Sequence, residues 1–304
     1  MLGSNEIVRN AAKVGTVVPA FNIPHLPMVA PVVRAVVDLD SFAFVAVARL
    51  EWIKFQSKSL AAVHEQYGKH VDPAHVRLHL DHVPVVDEDD MRVDYLPIFH
   101  EAISLGYQSL MIDGSRLPLD QNIAETRKAA DVAHEAGLPV EAELGAVLGH
   151  EAGPLPPYEE LFKTGKGFTD IGEATRFVRD TGCDWLSVAI GNVHGAVSAA
   201  ARDKKKVAAR LNIGHLKALR DATGVPLVLH GGSGIQQAYV LAAFKSGIAK
   251  INVGTEIRQA YETALNENGS VEAAQDAVYA KTAWLIRDYF GLAGNATKLA
   301  TASN

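Results

Sequence analysis

A single cysteine, Cys183, stands in the 304 residues, so an intrachain disulfide is excluded. That usage fits a reducing compartment, where thiols stay free. Cys183 precedes the apolar run WLSVAI, and nothing adjacent would lower its pKa, so a buried structural thiol is expected rather than a nucleophile. Long apolar runs are missing as well: none approaches the ~20 residues that a bilayer-spanning helix needs. The opening MLGSNEIVRNAAKVG lacks the basic start and apolar centre of a signal peptide. These absences predict a soluble, cytoplasmic protein. Excess positive charge is also lacking. With 29 basic residues against 35 acidic, a formal net charge of −6, no nucleic-acid-binding surface is expected. The local exception is Lys204-Lys205-Lys206, between Arg202 and Arg210. It reads as a solvated loop or helix start, with a phosphate-attracting rim as the alternative. There is no linker, low-complexity tract or clear repeat.

What is present is alternation. Eight short, largely apolar runs read as strands: 17–23, 42–48, 76–82, 109–115, 139–145, 185–191, 226–232 and 248–254. Helical patterns separate them, among them PMVAPVVRAVVDL, DQNIAETRKAADVAHEAG and GEATRFVRDTG. Several end on a glycine suited to a left-handed C′ position, namely Gly137, Gly182, Gly224 and Gly247. Connectors of the form AG-LP-V and TG-VP-L precede the fifth and seventh strands. Eight strand–helix units predict one (β/α)₈ barrel spanning about residues 15–265, with a helical C-terminal extension over about 266–304. Within it, 256–290 is helical in pattern, and the small, polar tail from Gly291 predicts either disorder or docking on a partner.

Chemistry concentrates where apolar runs stop. Asp81-His82, His194 and His230 each stand at a strand's C-terminal end, inside LHLDH, LSVAIGNVHG and LVLHGGSG. In a parallel barrel these ends share one mouth, where active sites form. Three imidazoles with an open position is a standard catalytic zinc arrangement, so the chain reads as a metal enzyme. His79 shares a face with Asp81, deeper in the barrel, and either supports the site or is simply packed. His25, His64, His70, His75, His100, His134 and His215 fall on helices or loops and read as surface or structural. Glu141 and Glu143 share a face of the fifth strand, and Asp113 ends the fourth. For Asp113 and Glu143 two roles stay open: holding a metal, or orienting a histidine behind it. Gly231-Gly232-Ser233-Gly234 and Asn252-Val253-Gly254-Thr255 follow strands seven and eight, where barrels commonly bind phosphate.

The motifs VPAFNI, LHLDH, SLMIDGS, VEAELG, SVAIGNVHG, LVLHGGSG and KINVGTE, in that order over roughly residues 15–260, resemble the class II, zinc-dependent ketose-bisphosphate aldolases. The resemblance implies a lyase acting through a zinc-stabilised enediolate of dihydroxyacetone phosphate. It implies His82, His194 and His230 as the Zn²⁺ ligands and Asp81 as the acid that protonates the aldehyde oxygen. Asn22 corresponds to a substrate-contacting residue. Gly195, Gly231, Gly232, Ser233, Asn252 and Thr255 fall where the family holds phosphate. Glu151, in the loop after VEAELG, matches the proton-shuttling carboxylate. An additional monovalent cation, a sugar phosphate substrate and a homo-oligomer (dimer or tetramer) are further implications.

The chain departs from the family's pattern around the aldehyde half. The loop reads Leu148-Gly149-His150-Glu151-Ala152, without the usual acid after the glutamate. Strand two leads into Ala48-Arg49 instead of a serine, and Ser198 lies where a lysine is common. No Asp-Pro-Arg segment is present to meet a second phosphate. Arg49 is a candidate for meeting a different tail; the alternative is a surface arginine paired with Glu51. Two other functions fit the same residues: a related retro-aldol enzyme on another phosphorylated sugar or sugar acid, and a non-catalytic metal- and phosphate-binding barrel.

Overall fold

The computed structural model describes residues 2–145, 158–192, 209–232 and 235–302. Eight parallel strands close into a barrel in sequence order: β1 Val18–Asn22, β2 Ala43–Ala48, β3 Val76–Pro84, β4 Leu110–Asp113, β5 Val140–Leu144, β6 Trp185–Val188, β7 Leu227–Leu229 and β8 Ile248–Val253. Each expected strand is present and helices surround them: a (β/α)₈ TIM barrel. No described helix is long and apolar enough to cross a membrane.

Alternation along each strand builds two apolar layers. Outward residues such as Leu78, Leu80, Leu110, Ile112, Val140, Leu186 and Leu229 join the larger core, packed against Val32, Phe99, Ala133, Phe177 and Leu216 of the helices. Inward residues Val18, Ala20, Phe44, Ala46, Trp185, Val228 and Ala249 form a second core with Ile7, Val8, Ala11 and Leu299. The helix Ser4–Val14 and the C-terminal helix Asn295–Thr301 supply these last four, and together they seal the barrel's N-terminal end. The sequence predicts a tail that is disordered or docked on a partner; its described residues, through Ala302, pack on this chain instead. It docks on its own barrel, with Asn10 donating to the Leu299 carbonyl at 2.9 Å and Asn295 to that of Val17 at 3.2 Å.

Local signals set where helices stop and strands resume. The helix Ile171–Thr181 starts on Asp170, whose carboxylate accepts from the Glu173 amide, and ends on Gly182 at φ +71°. The helix Ile213–Thr223 repeats the device with Asn212 and Gly224. The left-handed glycine turns the chain back toward the next strand, which accounts for the recurring TG connector. Cys183 follows one such turn and is buried.

Candidate active site

Strand alternation alone would not bring Asp81 and His82 to one place, because neighbours point to opposite faces. His79 and Asp81 face into the barrel, between the outward Leu78 and Leu80. The ladder to β4 then shifts, running from Leu80 opposite Leu110 to Val83 opposite Ile112. Three residues on β3 thus span two on β4, and His82 takes φ +32°. This bulge turns His82 back to the mouth beside Asp81, and Val83 and Val85 resume the outer core. A non-glycine backbone held there costs on the order of 1–3 kcal/mol and persists where function demands it.

The imidazoles of His82 and His230 meet edge to face, with Nε2 of the first 2.6 Å from Nδ1 of the second. Each ring's other nitrogen faces a carboxylate. His230 Nε2 lies 2.7 Å from Glu141 Oε1, and His82 Nδ1 lies 3.4 Å from Asp113 Oδ2. Asp113 is itself fixed by the Ser115 amide and hydroxyl at 3.0 and 2.6 Å. A carboxylate accepts only, so the outer nitrogens carry the protons and the inner lone pairs converge. At 2.6 Å the two inner nitrogens need a proton or a metal ion between them. Asp81 with the two histidines, and His82 with Asp113 and Glu143, bring ligand atoms within 4.8 Å of one another. This donor set fits a zinc ion.

The electrostatics agree. Burial by itself would lower the pKa of His82, but Asp81, Asp113 and Glu143 push it up to about 10. Burial and the neighbouring His82 lower that of His230. The carboxylates thus demand positive charge at the point where the two rings meet. Despite burial, Asp81 is held well below the usual carboxylate range by His82, His79 and Lys250. Burial and Asp113 drive Glu143 the other way, well above that range.

Both oxygens of Asp81 are fixed. Asn22 donates to Oδ2 and Asn252 to Oδ1, each at 2.8 Å. The two asparagines expected at the substrate therefore orient the acid in this structure. Gly231 at φ +66° and Gly232 open the loop after β7. A Cβ on Gly232 would meet Ile251 at 3.2 Å, so side-chain-free backbone packs close against β8. Gly254 precedes the helix Thr255–Asn268, placing a helix N-terminus beside this loop. Glu151, His194, Gly195 and Ser233 lie outside the described residues, as do Ser198 and the Lys204–Lys206 run.

Two polar side chains at the site were not singled out from sequence. Lys250 is wholly buried inside the barrel, 2.8 Å from Glu141 Oε2. Its signal was available: it stands two residues before Asn252, on the same strand face. Glu51 is buried and accepts from the Ala48 amide at 2.8 Å. Burial, only partly offset by that amide, raises its pKa to about 8. Arg49 does not pair with Glu51; it reaches Asp87 at 3.3 Å.

A family model described as fructose-bisphosphate aldolase class-II matches residues 3–296. Among curated proteins, YdjI of Escherichia coli K12, described as uncharacterized, is 45% identical over 173 residues. That stretch spans 57% of this chain and 57% of the relative's length. Among solved structures, the YdjI aldolase from Escherichia coli K12 is similar with a TM-score of 0.77 and 30% identity, covering 97% of this chain and 100% of that one. A candidate fructose-1,6-bisphosphate aldolase from Coccidioides immitis gives 0.75 and 25%, covering 97% and 99%.

Proposed function

This chain belongs to the class II fructose-bisphosphate aldolase family, and from that premise we propose that it reversibly cleaves a ketose phosphate into dihydroxyacetone phosphate and an aldehyde. The observation that carries the reading is the His82–His230 pair, backed by carboxylates and set against Asp81. His82 and His230, with His194, would hold zinc, which when bound supplies an electrophile for the enediolate oxygens.

The chain's own residues do the rest. Asp81, ionised and clamped by two amides, takes the proton of the hydroxyl on the departing carbon during cleavage. In condensation it returns that proton to the aldehyde oxygen. Glu151 moves the proton at the enediolate carbon. The backbone amides of Gly195, Gly231 and Gly232, with Ser233 and the helix start at Thr255, hold the phosphate. No lysine is needed for a Schiff base. Arg49 meets the tail of the aldehyde half, which differs from a phosphate. A monovalent cation beside the phosphate, a dimeric or tetrameric assembly and a cytoplasmic location complete the reading, within one barrel unit and its C-terminal helical extension.

The test has two arms. The zinc-loaded protein should exchange a C–H proton of dihydroxyacetone phosphate with solvent, followed by NMR. It should also condense dihydroxyacetone phosphate with at least one member of an aldehyde panel. Failure of both arms overturns the assignment.

A further inference from the structure

Lys250 has no part in the reaction as written, yet its whole side chain is sealed inside the barrel. A buried ammonium is costly unless its charge is offset, and an apolar chain of similar length would fill the space at less cost. Its contacts show what it does instead. Nζ lies 2.8 Å from Glu141 Oε2 and 2.6 Å from Asn252 Oδ1. Each of those partners has a second contact at the site. The other Glu141 oxygen faces His230 Nε2 at 2.7 Å, and Asn252 Nδ2 donates to Asp81 Oδ1 at 2.8 Å.

An ammonium has three donors and no acceptor. It therefore tolerates only the oxygen of Asn252 facing it, which leaves the amide NH₂ for Asp81. A flipped amide would set NH₂ against the ammonium and oxygen against the carboxylate. The same ammonium holds Glu141 by Oε2, which keeps the other oxygen turned to His230 Nε2. The proton on His230 then stays on Nε2, and Nδ1 presents its lone pair toward His82.

We propose that Lys250 is a positioning residue whose single ammonium sets both the donor direction on Asp81 and the tautomer of His230. The inference rests on the roles given to Asp81 and His230 above. Lys250→Met keeps the length and removes the donors. Zinc affinity, read by competition with a chelator, should weaken ~10–100-fold, the range for losing support behind a ligand. Nitrogen-15 NMR of the histidines should show His230 passing from one tautomer to a mixture. Glu141→Gln should reproduce the zinc and tautomer effects, because it breaks the same chain one link later. Zinc affinity within twofold of wild type, with a single His230 tautomer retained, overturns the proposal. Should Lys250→Met fail to fold, Lys250→Gln takes its place under the same criteria. Both readouts are made without substrate, so a wild-type protein that cleaves no ketose phosphate would sink the functional reading and leave this inference standing.

Discussion

The two ends of the barrel are built from opposite materials. At the N-terminal end, Phe44, Trp185 and Val228 pack on Ile7, Val8 and Leu299 in an apolar plug with no exposed wall. From the plug's upper edge to the C-terminal mouth, Asp81, Glu141, Glu143, His79, His230 and Lys250 are buried almost as completely, yet every one is ionisable. The plug uses close-packed apolar area. The mouth includes the bulge at His82, with its unfavourable φ, and crowds carboxylates that repel one another. Stability and chemistry are thus separated along the barrel axis, the division the fold permits. Substitutions at the two ends should therefore give nearly disjoint phenotypes.

The sharpest division lies within the mouth. Asp81→Asn should reduce carbon–carbon cleavage by ~10²–10⁴-fold, the usual loss for an essential acid or base. Dihydroxyacetone phosphate should still exchange its proton with solvent. Glu151→Gln should invert the pattern at the exchange step, and both proteins should melt near the wild-type temperature. Equal losses of exchange and cleavage in both variants would break the assignment of separate steps. Where the plug meets the polar layer, Trp185→Ala removes a fully buried ring packed near Phe44 and His79. Such truncations cost ~3–5 kcal/mol of stability. Denaturant unfolding should show that loss, and activity per folded molecule should hold within a few-fold. A Trp185→Ala protein of normal stability but no activity would erase the distinction.

The plug and the mouth were also unequally legible in the sequence. β-Branched runs located all eight strands, because a strand buried on both sides must be apolar nearly throughout. Where expected and observed limits differ, backbone geometry is the reason. β7 stops at Leu229 because the chain leaves the ladder at His230 and the glycines, whereas β3 runs on to Pro84 because its bulge lets pairing resume with Asp113. Asp81 and the histidines stood out as polar side chains ending apolar runs. Lys250 did not, since a lysine in a strand ordinarily marks an exposed face. Only its position two before Asn252 argues otherwise. The docking of the tail was hidden as well. Its buried residues, Leu292, Asn295 and Leu299, stand singly among small and polar ones, so no apolar run announces them.

A smaller effect probes the mouth's outer rim. Arg49 pairs with Asp87, with both side chains only partly exposed. Charge-assisted hydrogen bonds to a phosphate or carboxylate contribute ~1.5–3 kcal/mol each. Lacking the family's second-phosphate segment, the protein should turn over fructose 1,6-bisphosphate poorly. A ketose 1-phosphate with an uncharged or carboxylated tail should be the better substrate. Arg49→Ala should cost ~10–100-fold in kcat/KM for a carboxylated tail, by the same energies. Comparative kinetics that place a bisphosphate first, unchanged by Arg49→Ala, would remove Arg49 from substrate recognition.

The smallest expected effect returns to the plug's side of the molecule, where Cys183 leads into β6. Burial pushes its thiol from an ordinary 9.0 up to about 12. A raised folded-state pKa means that the folded protein holds the proton after the unfolded chain has released it. The stabilisation is complete below the unfolded value and declines as pH climbs from there toward the folded one. Between those limits the thiol should contribute a slope of ~1.4 kcal/mol per pH unit, unfavourable to the fold. Other groups titrate in the same range, so the quantity to measure is the difference between wild type and Cys183→Ala. Their unfolding free energies should run parallel from pH 7 to 8.5 and converge toward pH 10, by about 1.4 kcal/mol. The native thiol should also resist alkylation at pH 8 until denaturant is added. Parallel curves throughout, or rapid alkylation of the folded protein, would mean that water reaches the outer core around the start of β6.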